Sequence, residues 1–76
     1  MKKLSYRIIF RPEPEGGFTV FVPTLPGCIT YGKDLKEAQK MAKDAIKLYI
    51  KSLKKHGESV TDDSDILEGT LTIKYA

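Results

Sequence analysis

One long amphipathic helix is the feature that most restricts how this chain can fold. Leu35, Ala38, Ala42, Ala45, Ile46, Tyr49 and Leu53 recur at steps of mostly three and four and form a single apolar stripe, flanked by Met41, Leu48 and Ile50. Such a stripe has to be buried against another element. The other patterned segments read as strands, so the covering element is a sheet. Asp34 is placed as the N-cap with Glu37 three residues later, a capping-box spacing. Lys54 and Lys55 suit the negative end of the helix dipole, and Gly57 after His56 supplies a stop.

The rest of the chain supplies short strands. Leu4, Tyr6, Ile8 and Phe10 alternate with Ser5, Arg7, Ile9 and Arg11, the period-two pattern of a strand with one buried face. The stretch RPEPEGG at 11–17 ends it, because two prolines and two glycines favour a turn. FTVFV at 18–22 is aromatic and β-branched and reads as a second strand, stopped by PTLPG at 23–27. Residues 28–31 give a third strand, ended by Gly32. After a polar loop at 58–65, TLTIKY at 70–75 alternates Leu71, Ile73 and Tyr75 with Thr70, Thr72 and Lys74, the pattern of a fourth strand. The expected fold is therefore α+β with order βββαβ. A right-handed crossover through the helix would lay the last strand parallel to the first and third. One helix then covers one face of a four-stranded mixed sheet, in a single domain over residues 1–76.

With one helix, the second sheet face stays open. Ile9 and Phe21 are out of phase with the buried residues of their strands and fall on that face. They suit a partner or self-association surface, or stand as isolated hydrophobes shielded by Arg and Lys stems.

Several kinds of chemistry are short of residues. A lone cysteine, Cys28, cannot form an internal disulfide, so a reducing, cytoplasmic setting is expected. No run of apolar residues approaches a membrane span of about 18. One His and one Cys cannot assemble a zinc site, and no metal or cofactor is expected. His56 reads as a solvated helix-end residue, and Cys28 as a packed strand residue rather than a nucleophile. Gly16 and Gly17 sit between two strands, not between a strand and a helix N-terminus, so they do not read as a phosphate loop. Asp62, Asp63 and Asp65 lack the glycine and glutamate of a calcium loop and read as acidic surface. No enzymatic activity is expected.

Charge is unevenly spread. Residues 34–55 hold seven lysines against three acids, while residues 56–76 hold one lysine against five acids. Lys36, Lys40, Lys43, Lys47, Lys51 and Lys54 fall within about a quarter-turn sector at 3.6 residues per turn. This stripe could follow nucleic-acid phosphates. It also lies opposite the apolar stripe, where a surface helix ordinarily carries charge, and has no interleaved aromatic for base stacking. A nucleic-acid partner is not favoured.

The stretch GGFTVFVPTLPGCITYG at 16–32, followed by LKEA at 35–38 and AKDAI at 42–46, resembles the HicB-like antitoxin family of type II toxin-antitoxin systems. The resemblance covers about residues 4–55 and implies a partial ribonuclease H-like fold. It also implies a function: inhibition of a HicA-like toxin, a small ribonuclease that cleaves mRNA. The loops at 13–17 and 24–28 and the open sheet face are then the expected contact surface, with Glu15, Gly16, Gly17, Phe21, Leu25, Pro26 and Gly27 as candidate contacts. Those glycines and prolines serve equally as turn formers. Ribonuclease H enzymes carry metal-binding acids on the first and fourth strands, and neither strand has one here. Glu37 or Asp44 would stand alone, so two-metal catalysis is not expected. Many relatives continue into a DNA-binding segment, whereas this chain ends at Ala76, so operator binding would need the lysine stripe or an associated toxin to supply the DNA contacts. Lys33 replaces the acid common before the helix. Two other readings remain: a small basic nucleic-acid-binding module, or an orphan homo-oligomer, dimer or higher, paired through its open face.

Overall fold

The computed structural model describes residues 3–76, so Met1 and Lys2 of the expected domain lie outside it. Three short strands, β1 (Ile9–Pro12), β2 (Phe18–Phe21) and β3 (Ile29–Gly32), precede one helix, α1 (Leu35–Lys55). The strands form an antiparallel sheet in the order β1-β2-β3. Ile9 stands opposite Phe21, which stands opposite Ile29. Arg11, Thr19 and Tyr31 form the next row. Alternation sends Phe10, Phe18 and Val20 to the helix side and these two rows to the other.

Two turns set that register. Gly16 N–H donates to Glu13 O at 2.9 Å and Glu13 N–H to Gly17 O at 3.0 Å, closing the first hairpin. At the second, Cys28 N–H donates to Leu25 O at 2.9 Å, with Pro26 and Gly27 between them. Gly27 has φ +80°, the left-handed geometry that the third residue of a type II turn requires.

α1 is capped at both ends. Asp34 accepts from Glu37 N–H at 2.8 Å, and Glu37 accepts from Lys33 N–H at 2.9 Å. The return bond of the capping box thus lands one residue before the cap. At the other end Glu58 N–H donates to Leu53 O and Gly57 N–H to Lys54 O, the paired bonds of a Schellman stop.

The apolar stripe of α1 lies on the sheet. Val20, Ala38 and Ala42 are buried together, with Ile8, Phe10 and Phe18 around them. Val22, Leu25 and Cys28 form an adjoining cluster beneath Ala45, Ile46, Tyr49 and Leu53. Small residues bring the layers close: a Cβ at Gly32 would stand 2.3 Å from Ala38 N and 2.4 Å from Ala38 Cα. Gly32 does more than end β3; it is the seat of the helix.

The first strand differs from its expected span of 4–10. Its ladder runs from Ile9 to Pro12, because β2 turns away at Pro23 and offers residues 4–8 no partner. Asp62 and Asp63 take that place. Ser5 N–H donates to Asp62 Oδ2 and Arg7 N–H to Asp63 Oδ2, both at 2.8 Å, and Asp63 N–H donates to Ser5 O at 2.8 Å. Pro12 is tolerated in the ladder because odd-numbered residues of β1 face β2, so its missing donor points to the free edge.

The expected fourth strand at 70–75 is not formed among the described residues, and the sheet is three-stranded and antiparallel rather than four-stranded and mixed. Leu71, Ile73 and Tyr75 are 94%, 79% and 91% exposed. The alternation is that of a strand, but in this structure the segment has no ladder to join. The radius of gyration, 14.6 Å, exceeds the about 11 Å of a compact chain this long, in keeping with a projecting tail.

Candidate partner-binding surface

The sheet face away from α1 carries the apolar row Ile9, Phe21 and Ile29, exposed at Ile9 and Ile29 and half-buried at Phe21. Tyr31 extends it along β3, and the Arg11 guanidinium lies 5.0 Å from the Phe21 ring centroid. The two rows make a continuous patch with an apolar centre and a polar margin of Arg11, Thr19 and Glu13. That composition is typical of a protein interface, in which aromatics and Arg are enriched.

The margin is held in place. Glu13 accepts from Arg11 Nε at 3.1 Å, pairs with Arg11 Nη2 at 3.0 Å and accepts from the Thr19 hydroxyl. The bonds from Thr19 and then Arg11 keep the Glu13 carboxyl below its ordinary range. Tyr31 Oη donates to Gly16 O at 2.9 Å, tying the hairpin to the outer side of β3. On the helix side, Tyr49 Oη donates to Pro26 O at 2.8 Å and fixes the second turn.

The sequence-derived contact residues do not form one cluster. Glu15, Gly16 and Gly17 lie in the hairpin at one end of the sheet, and Leu25, Pro26 and Gly27 in the turn at the other. β2, about 13 Å long at four residues, separates them. Phe21 lies between, half-buried, on the open face. Leu25 is 2% exposed and packs in the core, where it shapes the turn from beneath. Ile29 and Tyr31 share the face with Phe21 but were not among the expected contacts. The signal that could have found them is alternation along β3, since Ile29 and Tyr31 are out of phase with the packed residue Cys28, and the observed register sets both on the face of Phe21.

The six stripe lysines, Lys36, Lys40, Lys43, Lys47, Lys51 and Lys54, are all exposed. Lys43 and Lys47 stand at the rim of a groove between residues 4–8 and α1. Cys28 is buried, and burial pushes its thiol up, away from the reactive thiolate. His56 is exposed, with Nδ1 2.8 Å from Ser52 O.

The three aspartates of the loop divide. Asp63 is buried, with Arg7 Nε at 3.3 Å, and it also accepts from Arg7 N–H and the Thr24 hydroxyl. The Thr24 bond and then the Arg7 backbone bond hold its carboxyl below the usual range. Bonds from Ser5 N–H and the Ser64 hydroxyl do the same for Asp62. Asp65 is exposed. Tyr6 donates to Thr61 O at 2.6 Å, and burial followed by the nearby Asp62 and Asp63 charges raises its phenol. Two of the three acids are thus clamps on the N-terminal segment. Among the described residues no three His, Cys, Asp or Glu side chains are grouped to hold a metal ion, and no helix is long and apolar enough to cross a membrane.

Comparison with known proteins places this sequence among relatives. A UPF0150 protein of Thermoplasma acidophilum is 46% identical over 61 residues, covering 80% of this chain and 88% of its own length. A UPF0150 protein of Archaeoglobus fulgidus is 38% identical over 47 residues, covering 62% and 68%. One from Helicobacter pylori is 45% identical over 41 residues, covering 54% and 57%. Residues 6–76 match the family described as HicB_like antitoxin of bacterial toxin-antitoxin system. The match takes in the strands, the capped helix and the tail, and the chain therefore belongs to the HicB-like antitoxin family.

Proposed function

We propose that this chain is a cytoplasmic, non-enzymatic antitoxin that binds and inhibits a HicA-like, mRNA-cleaving toxin through its open sheet face. Family membership implies a toxin partner in general. The observation that carries the surface assignment is the apolar row Ile9–Phe21–Ile29, exposed at both ends and half-buried at Phe21, with exposed Tyr31 beside it. An apolar centre of this kind can be desolvated by a partner, and Arg11 stacked on Phe21 is pre-ordered before binding, which lowers the entropic cost. The exposed turns at Glu15–Gly16 and Pro26–Gly27 frame the two ends of this surface. A ribonuclease is a basic partner, and the exposed acidic residue Glu15 at the hairpin suits it. In the assembled protein a fourth strand completes a partial ribonuclease H-like sheet, and the assembly is a homo-oligomer.

The reading predicts a small basic ribonuclease encoded beside this chain, and the test is co-expression with it. The wild-type chain should restore growth and co-purify with the toxin. Phe21→Asp, with an unchanged circular dichroism spectrum, should do neither. Full rescue by Phe21→Asp together with Ile29→Asp would show that the toxin docks elsewhere.

A further inference from the structure

The sheet has a vacant place beside β1. Glu13 N–H bonds to Gly17 O, so odd-numbered residues of the first strand face β2 and even-numbered ones face outward. Ser5 and Arg7 keep this parity beyond the ladder, bonding to Asp62 and Asp63. Tyr6 and Ile8 therefore turn their backbone N–H and C=O groups to the free edge, and neither N–H has a partner among the described residues. Alongside runs a groove of about 350 Å³, lined by Leu4, Tyr6, Ile8, Ala42, Ile46 and Ile50. An open edge above an apolar trough is the receiving site for a strand with one apolar face.

Such a strand exists in the same chain and is unused. Residues 69–75 alternate Leu71, Ile73 and Tyr75 with Thr70, Thr72 and Lys74, and these three apolar side chains are 94%, 79% and 91% exposed. Their own copy does not receive them. Asp62 and Asp63 are pinned on the β2 side of the first strand, and after the turn closed by Ile66 N–H to Asp63 O the chain leaves the body, with Leu67 98% exposed. Charge also matches: Lys43 and Lys47 rim the groove, while Asp65 and Glu68 precede the tail strand.

We infer that residues 69–75 of one copy add as a fourth strand to the β1 edge of a second copy, and reciprocally, making a strand-exchanged dimer. Leu71, Ile73 and Tyr75 fill the groove, and the strand takes the Tyr6 and Ile8 backbone groups. The Ile9–Phe21–Ile29 face stays open on both copies, so the exchange stands independently of the toxin assignment and leaves two such faces per dimer.

Sedimentation equilibrium of the full chain tests this without any toxin. The wild type should run at twice the chain mass of 8.5 kDa. Ile73→Lys should weaken dimerisation at least about 30-fold, because a charge then enters an apolar trough. Its helical circular dichroism signal should be retained and only the contribution of the tail strand lost, since Ile73 is 79% exposed in the single copy. A monomeric wild type, or a dimer indifferent to Ile73→Lys, would overturn the exchange. Position is read by thiol cross-linking, with buried Cys28 left in place. A Lys43→Cys chain mixed with an Ile73→Cys chain should link into a disulfide dimer. A link formed within one chain carrying both changes, or a dimer linked through Leu48→Cys on the β3 side instead, would contradict it.

Discussion

Replacing Gly32 by alanine tests how the helix is seated. A Cβ there would stand 2.3 Å from Ala38 N, 2.4 Å from Ala38 Cα and 2.8 Å from Ala38 Cβ. Two of these three atoms are backbone, so no rotamer change relieves the contact. α1 must lift from β3, loosening the cluster of Val20, Ala38 and Ala42. Overpacking of this kind costs about 1–3 kcal/mol, and the rigid backbone contact places Gly32→Ala near the upper end. At roughly 4–8 °C per kcal/mol for a domain this small, Tm should fall by about 12–24 °C. Gly27→Ala is the control. Nothing lies within 4 Å of its Cβ, and only the φ of +80° opposes it, a cost of about 1–2 kcal/mol. Thermal unfolding followed by circular dichroism measures both. If Gly32→Ala melts within a few degrees of wild type, or above Gly27→Ala, the close seating of α1 on β3 is wrong.

Three further outcomes are expected. Asp62 and Asp63 have carboxyls held below the unfolded value of about 3.9. Their contribution is therefore complete above that pH and is lost as pH falls through the lower native values. Acid unfolding of Asp63→Asn should show a shallower loss below about pH 4 than wild type, read by circular dichroism; an identical acid limb would remove Asp63 from the clamp. Asp34→Ala removes the acceptor for Glu37 N–H and should cost about 1 kcal/mol in urea unfolding; no change would deny the cap. Neutralising Lys36, Lys40 and Lys51 to alanine should change stability by less than about 0.5 kcal/mol per site and leave toxin binding intact. RNA affinity that falls steeply with salt and vanishes in this variant would instead favour the nucleic-acid reading.

Local patterns in the chain are legible where both partners of an interaction lie close in sequence. The Asp34–Glu37 cap, the Gly57 stop, the helix stripe and the open-face phase of Ile9 and Phe21 depend on spacing of a few residues. Features joining distant segments were less legible. Asp62 and Asp63 read as acidic surface because side-chain bonds to Ser5 and Arg7, more than fifty residues away, leave no periodic mark. Leu25 read as an exposed contact because turn residues usually are; its burial follows from α1 crossing above it. The tail at 70–75 has a strand's alternation, but alternation names a face to be buried and not the edge that receives it.

The most direct test of partner binding through the open sheet face is the dissociation constant for the proposed HicA-like toxin, measured by titration calorimetry for the wild type, Phe21→Ala and Lys40→Ala. Phe21→Ala should weaken binding about 30-fold or more, the mark of a central hot spot, and Lys40→Ala should leave it unchanged. Equal affinities for wild type and Phe21→Ala, or the loss falling on Lys40→Ala instead, would contradict the assignment of this face.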